Sequence, residues 1–148
     1  MRVEEALRRL EEEGYKATSK REAILRTLAR EDRYLTAKDL FALLHDDYPY
    51  LSFDTIYRNL RLFEALGIVT SIEFDGQRRF RLRCDTEEHH HHFICIRCGA
   101  TMVIPGCPLD VLPLNGLDPD VLIVDHKFEL YGLCPRCRKE VGDVTAVV

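Results

Sequence analysis

The chain lacks several features that would place it in a familiar class. None of its 148 residues belongs to a run approaching the roughly 18 consecutive apolar residues of a transmembrane helix. Its first residues alternate charged and apolar side chains instead of forming a secretory signal. Basic residues are not in excess, because 21 Lys and Arg stand against 25 Asp and Glu, a formal net charge of −4. These absences predict a cytoplasmic protein without a membrane partner or a general basic coat for nucleic acid.

Two zinc-enzyme motifs are also missing. Zinc peptidases carry H-E-x-x-H, and zinc deaminases pair H-x-E with P-C-x-x-C. Neither string occurs in the sequence. We therefore expect neither an enzyme nor a small-molecule substrate.

The charge is divided unevenly along the chain. Residues 1–83 hold 16 basic and 15 acidic side chains, whereas residues 84–148 hold 5 basic and 10 acidic ones. The second part is also rich in cysteine, histidine and β-formers. We predict a DNA-binding domain at 1–83 and a metal-binding dimerisation domain at 84–148.

Apolar residues at helical spacing predict four helices within residues 1–66. Ser19 and Glu22 fit an S-x-x-E capping box for the second helix, and Thr36 and Ser52 are placed to begin the third and fourth. The fourth helix presents one apolar face, made of Phe53, Ile56, Leu60 and Phe63.

Two short strands are predicted to follow, at Ile68–Glu73 and Arg78–Arg83, after a helix end at Gly67. Asp75-Gly76 between the strands is a strong hairpin signal. Helices followed by a β-hairpin predict a winged helix.

The second domain is predicted to be a small α/β (α+β) domain. Strands are predicted at His92–Ile96, Thr101–Ile104 and Val121–Leu130, and a helix is predicted near Pro108–Leu114.

Two CxxC pairs, Cys95/Cys98 and Cys134/Cys137, are separated by 35 residues. Two such pairs together make the closed tetrahedral arrangement of structural zinc. The alternative is a set of buried or disulfide-paired cysteines, which a reducing compartment disfavours.

The histidine run 89–92 leads into apolar residues, so it is predicted to enter a strand in which side chains alternate between faces. Cys84 lies six residues before His90, and with His92 it can complete a site whose thiolate and imidazoles suit zinc. Glu73 is the candidate fourth ligand, and its alternative is a solvated strand carboxylate. For the run itself, the alternative is an expression tag or a solvated polar segment.

On the other face of that strand, a metal ion bound by His89 and His91 would need further ligands. His126 and Asp110 are the candidates, although His126 can equally be an ordinary structural histidine. Cys107 has no CxxC partner, and we interpret it as a small buried hydrophobe.

At this point the sequence resembles the ferric uptake regulator family over nearly its whole length. The matching stretches are Gly14-Tyr-Lys-Ala-Thr18 with Lys20-Arg21, Thr36-Ala-Lys-Asp39, Ser52-Phe-Asp-Thr-Ile-Tyr-Arg-Asn-Leu60, and His89–His92 leading into Cys95-x-x-Cys98-Gly99. The resemblance implies a homodimeric, metal-dependent repressor of bacterial genes. It also implies that His89, His91 and His126 form a third metal site, completed by Asp110 where the family usually has glutamate.

Departures from the family pattern indicate the metal. Tyr34 stands where iron and peroxide sensors usually have histidine, and Cys84 and Val103 stand where peroxide sensors have aspartate. The set Cys84, His90 and His92 is similar to the sensing site of zinc uptake regulators. Thr70 replaces the aspartate that some of those supply, so Glu73 is our substitute. The resemblance therefore implies a repressor that binds A·T-rich palindromic operators of zinc-uptake genes when loaded with Zn²⁺.

The fourth helix is predicted to enter the major groove of a double-stranded operator. There Arg58 can bond a guanine edge, Tyr57 can contact a thymine methyl, and Ser52 and Thr55 can bind phosphates. Two further contacts are expected outside this helix: the resemblance places Lys16 in an A·T-rich minor groove, and Arg79 of the wing is predicted to bind backbone.

Two other functions remain open at this stage. The same scaffold can sense iron or peroxide, and a metal buffer without DNA binding would leave the winged helix unexplained.

Overall fold

The computed structural model describes residues 1–84 and 90–142. The chain folds as two compact units, Met1–Asp85 and Thr86–Val148. None of the helices within the described ranges is long and apolar enough to cross a bilayer.

The first unit contains the four predicted helices and a three-stranded sheet. In chain order its elements are α1 (Val3–Glu12), α2 (Ser19–Glu31), β1 (Leu35–Thr36), α3 (Ala37–Leu44), α4 (Phe53–Ala65), β2 (Val69–Phe74) and β3 (Gln77–Leu82). The strand order is β1-β3-β2, and both pairings are antiparallel. This arrangement is a winged helix, with the β2–β3 hairpin as the wing.

Side-chain caps mark where α2, α3 and α4 begin. Ser52 accepts the N–H of Thr55 at 3.2 Å, as predicted for α4. The predicted capping box at Ser19 and Glu22 is wrong, because Thr18 occupies the cap position of α2 and accepts the N–H of Arg21. Thr18 and Ser19 are adjacent hydroxyl residues that both suit a helix N-cap. The S-x-x-E spacing by itself favoured Ser19.

Turn residues close the wing as the sequence predicts. Asp75 and Gly76 have φ angles of 53° and 68°, the left-handed pair that a two-residue type I′ hairpin requires. Gly67, with φ of 64°, reverses the chain after α4, where a side chain would be strained.

A continuous apolar core holds the first unit together. On α4 the side chains of Ile56, Leu60 and Phe63 are fully buried. Phe53 was predicted on the same face but is 49% exposed, since it opens the helix at the edge of the core, where its ring packs edge-on against Phe41.

The second unit is a smaller mixed domain. Its elements are β4 (His90–Cys95), β5 (Thr101–Pro105), a 3-10 helix (Pro108–Asp110), β6 (Glu129–Gly132) and α5 (Pro135–Val141). The central strand β4 pairs antiparallel with β5 and parallel with β6.

Two predictions in this unit are wrong. The helix expected near Pro108–Leu114 is a single 3-10 turn, and of the strand expected at Val121–Leu130 only the end belongs to β6. The β-forming side chains of 121–124 are 44 to 87% exposed, and no described strand pairs with them. β propensity depends on a neighbouring strand to pack against, and none of the strands within residues 1–84 and 90–142 lies beside this segment.

Candidate metal centres and nucleic-acid interface

The two CxxC pairs meet in one cluster inside the second unit. Cys95 ends β4, Cys98 lies in the turn that follows, and Cys134 and Cys137 lie at the start of α5. All four sulfur atoms lie within 4.8 Å of one another. The helix α5 was not predicted from the sequence; Pro135 at its first position is a common helix start.

The spacing of the sulfur atoms fits a metal cluster and not a disulfide. The Sγ atoms of Cys98 and Cys134 are 3.7 Å apart. Zn–S bonds of about 2.3 Å in a tetrahedron place two sulfurs roughly 3.8 Å apart, whereas a disulfide holds them at about 2.05 Å. The donor set therefore fits zinc.

Hydrogen bonds already favour one thiolate of the cluster. Burial raises the pKa of Cys95, but backbone N–H groups of Cys98, Cys134 and Arg97 outweigh it and lower that pKa to about 6. The pKa of Cys137 is raised to about 12 by burial and by the neighbouring thiols. All four cysteines can be thiolates together only if a cation neutralises their charge, as a bound metal ion would.

Strand β4 divides its histidines between two faces. The rings of His90 and His92 are 4.7 Å apart, centroid to centroid, and both are half-buried. His91 points to the other face and is only 5% exposed. His89 lies outside the described residues.

The other two residues predicted for the regulatory site belong to the first unit. Cys84 is half-buried. Glu73 is an exposed residue of β2, opposite Arg78 in the hairpin.

On its buried face, His91 meets His126 and Cys107. The Nε2 atoms of the two histidines are 3.4 Å apart, and the Sγ of Cys107 lies 3.1 Å from His126 Nε2. Asp110, the carboxylate predicted here, is exposed on the 3-10 helix and lies outside this group.

Because no CxxC spacing marks it, Cys107 was interpreted as a small buried hydrophobe; this is wrong, since the thiol is half-buried and its Sγ lies 3.1 Å from His126 Nε2. A weaker signal was available in the strand pairing, since β5 ends at Pro105 opposite His90. A residue just past that strand end therefore lies beside the histidine run.

The predicted DNA-reading residues lie along α4. The side chain of Arg58 is 71% exposed and forms an ion pair with Asp54 at 3.0 Å, an exposed contact of little energy that DNA can replace. Tyr57 is half-buried, with its ring edge-on to Phe80. Ser52 and Thr55 share a hydroxyl hydrogen bond of 2.8 Å.

The remaining two predicted contacts lie elsewhere in the first unit. Lys16 is exposed in the loop before α2, and its carbonyl accepts a hydrogen bond from Arg21 at 2.6 Å. Arg21 also donates to Asn59 of α4 at 3.0 Å, so this loop is tied to the helix. Arg79 is half-buried in β3, the middle strand.

Comparison with known proteins identifies close relatives. The sequence pattern of the ferric uptake regulator family matches residues 12–131. The ferric uptake regulation protein of Staphylococcus epidermidis is 46% identical over 142 residues, which cover 96% of this chain and 100% of that protein.

Solved structures share the fold. The Helicobacter pylori ferric uptake regulator superposes with a TM-score of 0.69 at 22% identity, covering 93% of this chain and 94% of that one. A zinc-bound manganese uptake regulator superposes with a TM-score of 0.66 at 28% identity, covering 89% and 98%.

Proposed function

The chain belongs to the ferric uptake regulator family, and we propose that within that family it is a zinc-responsive repressor. Members are transcriptional regulators that bind DNA as dimers and are not enzymes. The proposal is that the zinc-loaded homodimer acts in the cytoplasm and binds A·T-rich palindromic operators of zinc-uptake genes.

The main support for zinc as the regulatory ion is the pair of imidazole rings of His90 and His92. They share one face of β4 at 4.7 Å, and Cys84 precedes them by a few residues in the chain. A thiolate with two imidazoles is a borderline-soft donor set that suits zinc better than ferrous or manganous ions, which favour carboxylates.

Glu73 is proposed as the fourth ligand of this regulatory site. Its carboxylate is exposed on the wing strand β2, and carboxylate oxygen is an accepted zinc ligand. Exchange to Gln would remove the charge at nearly constant size. We expect weaker zinc binding by Glu73→Gln, but a smaller loss than from removal of the thiol.

The second unit is also suited to dimerisation. Large apolar side chains are exposed along the segment between β5 and β6: Val111, Leu112, Leu114, Leu117, Val121, Leu122, Ile123 and Val124. An apolar patch of this extent on a small domain marks a protein–protein interface. A zinc ion bound by the four-cysteine cluster is proposed to stabilise the fold of this unit.

Metal and operator are linked through the dimer. An ion held by Cys84 of one unit and by His90 and His92 of the other would favour one arrangement of the two recognition helices. Zinc and operator then strengthen each other's binding by the same factor. A shift from 1:99 to 99:1 needs about 5.5 kcal/mol of differential binding, which a thiolate–imidazole zinc site can supply.

The variant Cys84→Ser tests the regulatory site. We expect it to keep its fold and one tightly held zinc, but to lose zinc-dependent operator binding in a gel-shift titration. Cys107→Ser is the matched control, because Cys107 is the other half-buried thiol outside the four-cysteine cluster. Normal zinc-responsive binding by Cys84→Ser would refute the assignment.

Arg58 tests the DNA interface separately. Loss of a bidentate guanine contact costs about 1–3 kcal/mol, so Arg58→Ala should weaken operator binding roughly 5- to 150-fold. Arg26→Ala removes an equally charged residue of α2 that pairs with Glu22 and should change binding little. Equal effects of both variants would mean that only overall charge matters.

A second candidate is an iron-responsive repressor. It is favoured by the 46% identity to a protein named as a ferric uptake regulation protein. In that case Cys84 is dispensable for sensing, and Cys84→Ser should retain ferrous-dependent operator binding under anaerobic conditions. Under the zinc proposal, the same variant should respond to neither ion.

A further inference from the structure

We propose that Arg21 is a positioning residue that ties the minor-groove contact of the DNA interface to the recognition helix α4. This role rests on the proposed function, in which Lys16 and Arg58 make their predicted contacts with the operator. Arg21 itself is assigned no contact with DNA. The role does not depend on which metal ion is the signal.

The guanidinium group of Arg21 bridges two elements of the first unit. Its Nη1 donates to the carbonyl oxygen of Lys16 at 2.6 Å, and its Nε donates to Oδ1 of Asn59 in α4 at 3.0 Å. Arg21 lies in the first turn of α2 and is half-buried. A planar group whose N–H donors have a fixed fork geometry therefore sets the spacing between the Lys16 loop and α4.

Both acceptors of this bridge are themselves held in place. The side-chain nitrogen of Asn59 donates to the carbonyl oxygen of Thr55, one helical turn earlier, at 2.8 Å, which leaves Oδ1 facing Arg21. The carbonyl oxygen of Lys16 also accepts the backbone N–H of Thr18 at 3.0 Å. The bridge therefore has little freedom at either end.

The same guanidinium group orders the loop next to Lys16. It lies 5.5 Å from the centroid of the Tyr15 ring. The N–H of Tyr15 in turn donates to the carbonyl oxygen of Leu10, in the last turn of α1, at 2.8 Å. Lys16 is exposed, so its backbone is held while its side chain extends from the surface.

A fixed spacing matters because the two predicted contacts read different grooves. Arg58 directly precedes Asn59 in α4 and is assigned to the major groove. Lys16 is assigned to the minor groove, where a G·C pair differs from A·T by the guanine amino group. A loop that is not tied down must be ordered on binding, which costs affinity. Selectivity in the minor groove should therefore depend on Arg21 although it does not touch the base.

Inosine isolates the minor-groove contact from every other contact. An inosine·C pair is a G·C pair without the amino group in the minor groove. The probe is the palindromic duplex that the metal-loaded protein selects from randomised A·T-rich DNA, with one A·T pair per half-site replaced by G·C or by inosine·C. The ion that drives binding is held at saturation. The position with the largest preference for inosine·C over G·C, expected to be roughly 5-fold or more, marks the contact.

Three substitutions test the bridge at that position. Arg21→Lys should remove most of the preference, because an ammonium group keeps the charge but lacks the planar fork. Asn59→Ala should have the same effect, and the double variant should be no worse than either, since both remove one bridge. Arg26→Lys is the matched control on α2, where the guanidinium pairs with Glu22, and it should keep the full preference.

The preference is a ratio of two affinities measured on the same variant. A general loss of fold lowers both affinities by the same factor and leaves the ratio unchanged. A purely structural role of Arg21 would therefore weaken binding to both duplexes and spare the preference. That outcome would overturn the positioning role.

A direct phosphate contact by Arg21 is the competing explanation, and salt dependence tests it. The comparison is made between Lys16→Ala and Lys16→Ala/Arg21→Gln, so that the minor-groove contact is absent from both. Positioning predicts the same dependence of affinity on salt in the two proteins. Loss of a phosphate contact would lower the logarithmic salt slope by about 0.9, and that result would also overturn the positioning role.

Failure of the bridge can be told apart from failure of the proposed interface. Lys16→Ala should abolish the preference for inosine·C. If it does so while Arg21→Lys and Asn59→Ala keep the preference, the positioning role is refuted and the Lys16 contact stands. A preference that is absent from the unaltered protein, or that survives Lys16→Ala, would refute both. The major-groove role of Arg58 would still be decided by its own variant.

Discussion

Each of the two units of this protein is stabilised internally in a different way. In the first, apolar side chains from all four helices and the sheet form one buried core. Among the described residues of the second, the buried side chains are Ile94, three cysteines of the cluster and His91. One unit is stabilised by the hydrophobic effect, whereas the other has candidate metal-binding side chains where a core would be.

The stabilising free energy contributed by each interaction differs accordingly between the two units. A buried leucine or phenylalanine contributes about 1.5–3 kcal/mol, and the first unit has many of them. A structural zinc site contributes on the order of 10 kcal/mol or more through a single ion. Removal of metal should therefore affect the second unit and spare the first.

The largest expected effect is that of Cys95→Ser. Loss of one cluster ligand should unfold the second unit and abolish the dimer, while the helices of the first unit persist. Sedimentation velocity would report the loss of dimer, and segment-resolved hydrogen exchange would report which unit has opened. Cys84→Ser is the control that should remain dimeric. A stable Cys95→Ser dimer would show that the second unit does not depend on its cluster.

A core mutation should produce the opposite pattern. Leu60 is fully buried in α4, and Leu60→Ala should destabilise the first unit by about 2–5 kcal/mol. The cluster should keep its zinc. Chemical denaturation followed by hydrogen exchange would locate the change. Tyr50→Ala, at a side chain 93% exposed, should have almost no effect, and zinc loss in Leu60→Ala would contradict the separation of the two units.

The smallest expected effect sharpens the comparison at a helix end. The hydroxyl of Thr36 accepts the N–H of Asp39 at 3.0 Å, and the carboxylate of Asp39 accepts the N–H of Thr36 at 2.8 Å. Thr36→Ala should lower the unfolding free energy of the first unit by about 1 kcal/mol, measured by denaturant titration. Thr36→Ser keeps the hydroxyl and should retain most of that stability; equal losses would argue against the cap.

The same contrast explains what could be predicted from sequence. The winged helix followed from local signals: apolar spacing along α4, the cap at Ser52 and the Asp75-Gly76 turn each act within a few residues. The four-cysteine cluster was also predictable, because each CxxC pair is local and chemically specific.

The irregular part of the second unit was not predictable in this way. Val121 and its neighbours favour a strand by composition, yet no described strand pairs with them. Cys107 joins His91 and His126 only because β5 and β6 flank β4. Side chains brought together by topology leave no spacing in the sequence, and Asp110 was a candidate on its residue type and on the family resemblance, without any such signal.

Zinc is the proposed signal, and metal-buffered operator binding tests this assignment most directly. The 148-residue chain, with zinc in the four-cysteine cluster, would be titrated with free Zn²⁺ or, anaerobically, with free Fe²⁺ while operator binding is followed. We predict that zinc drives binding at far lower free concentration than iron, and that Cys84→Ser abolishes the zinc response. Binding driven by ferrous ion, with no response to zinc beyond the cluster, would contradict the account.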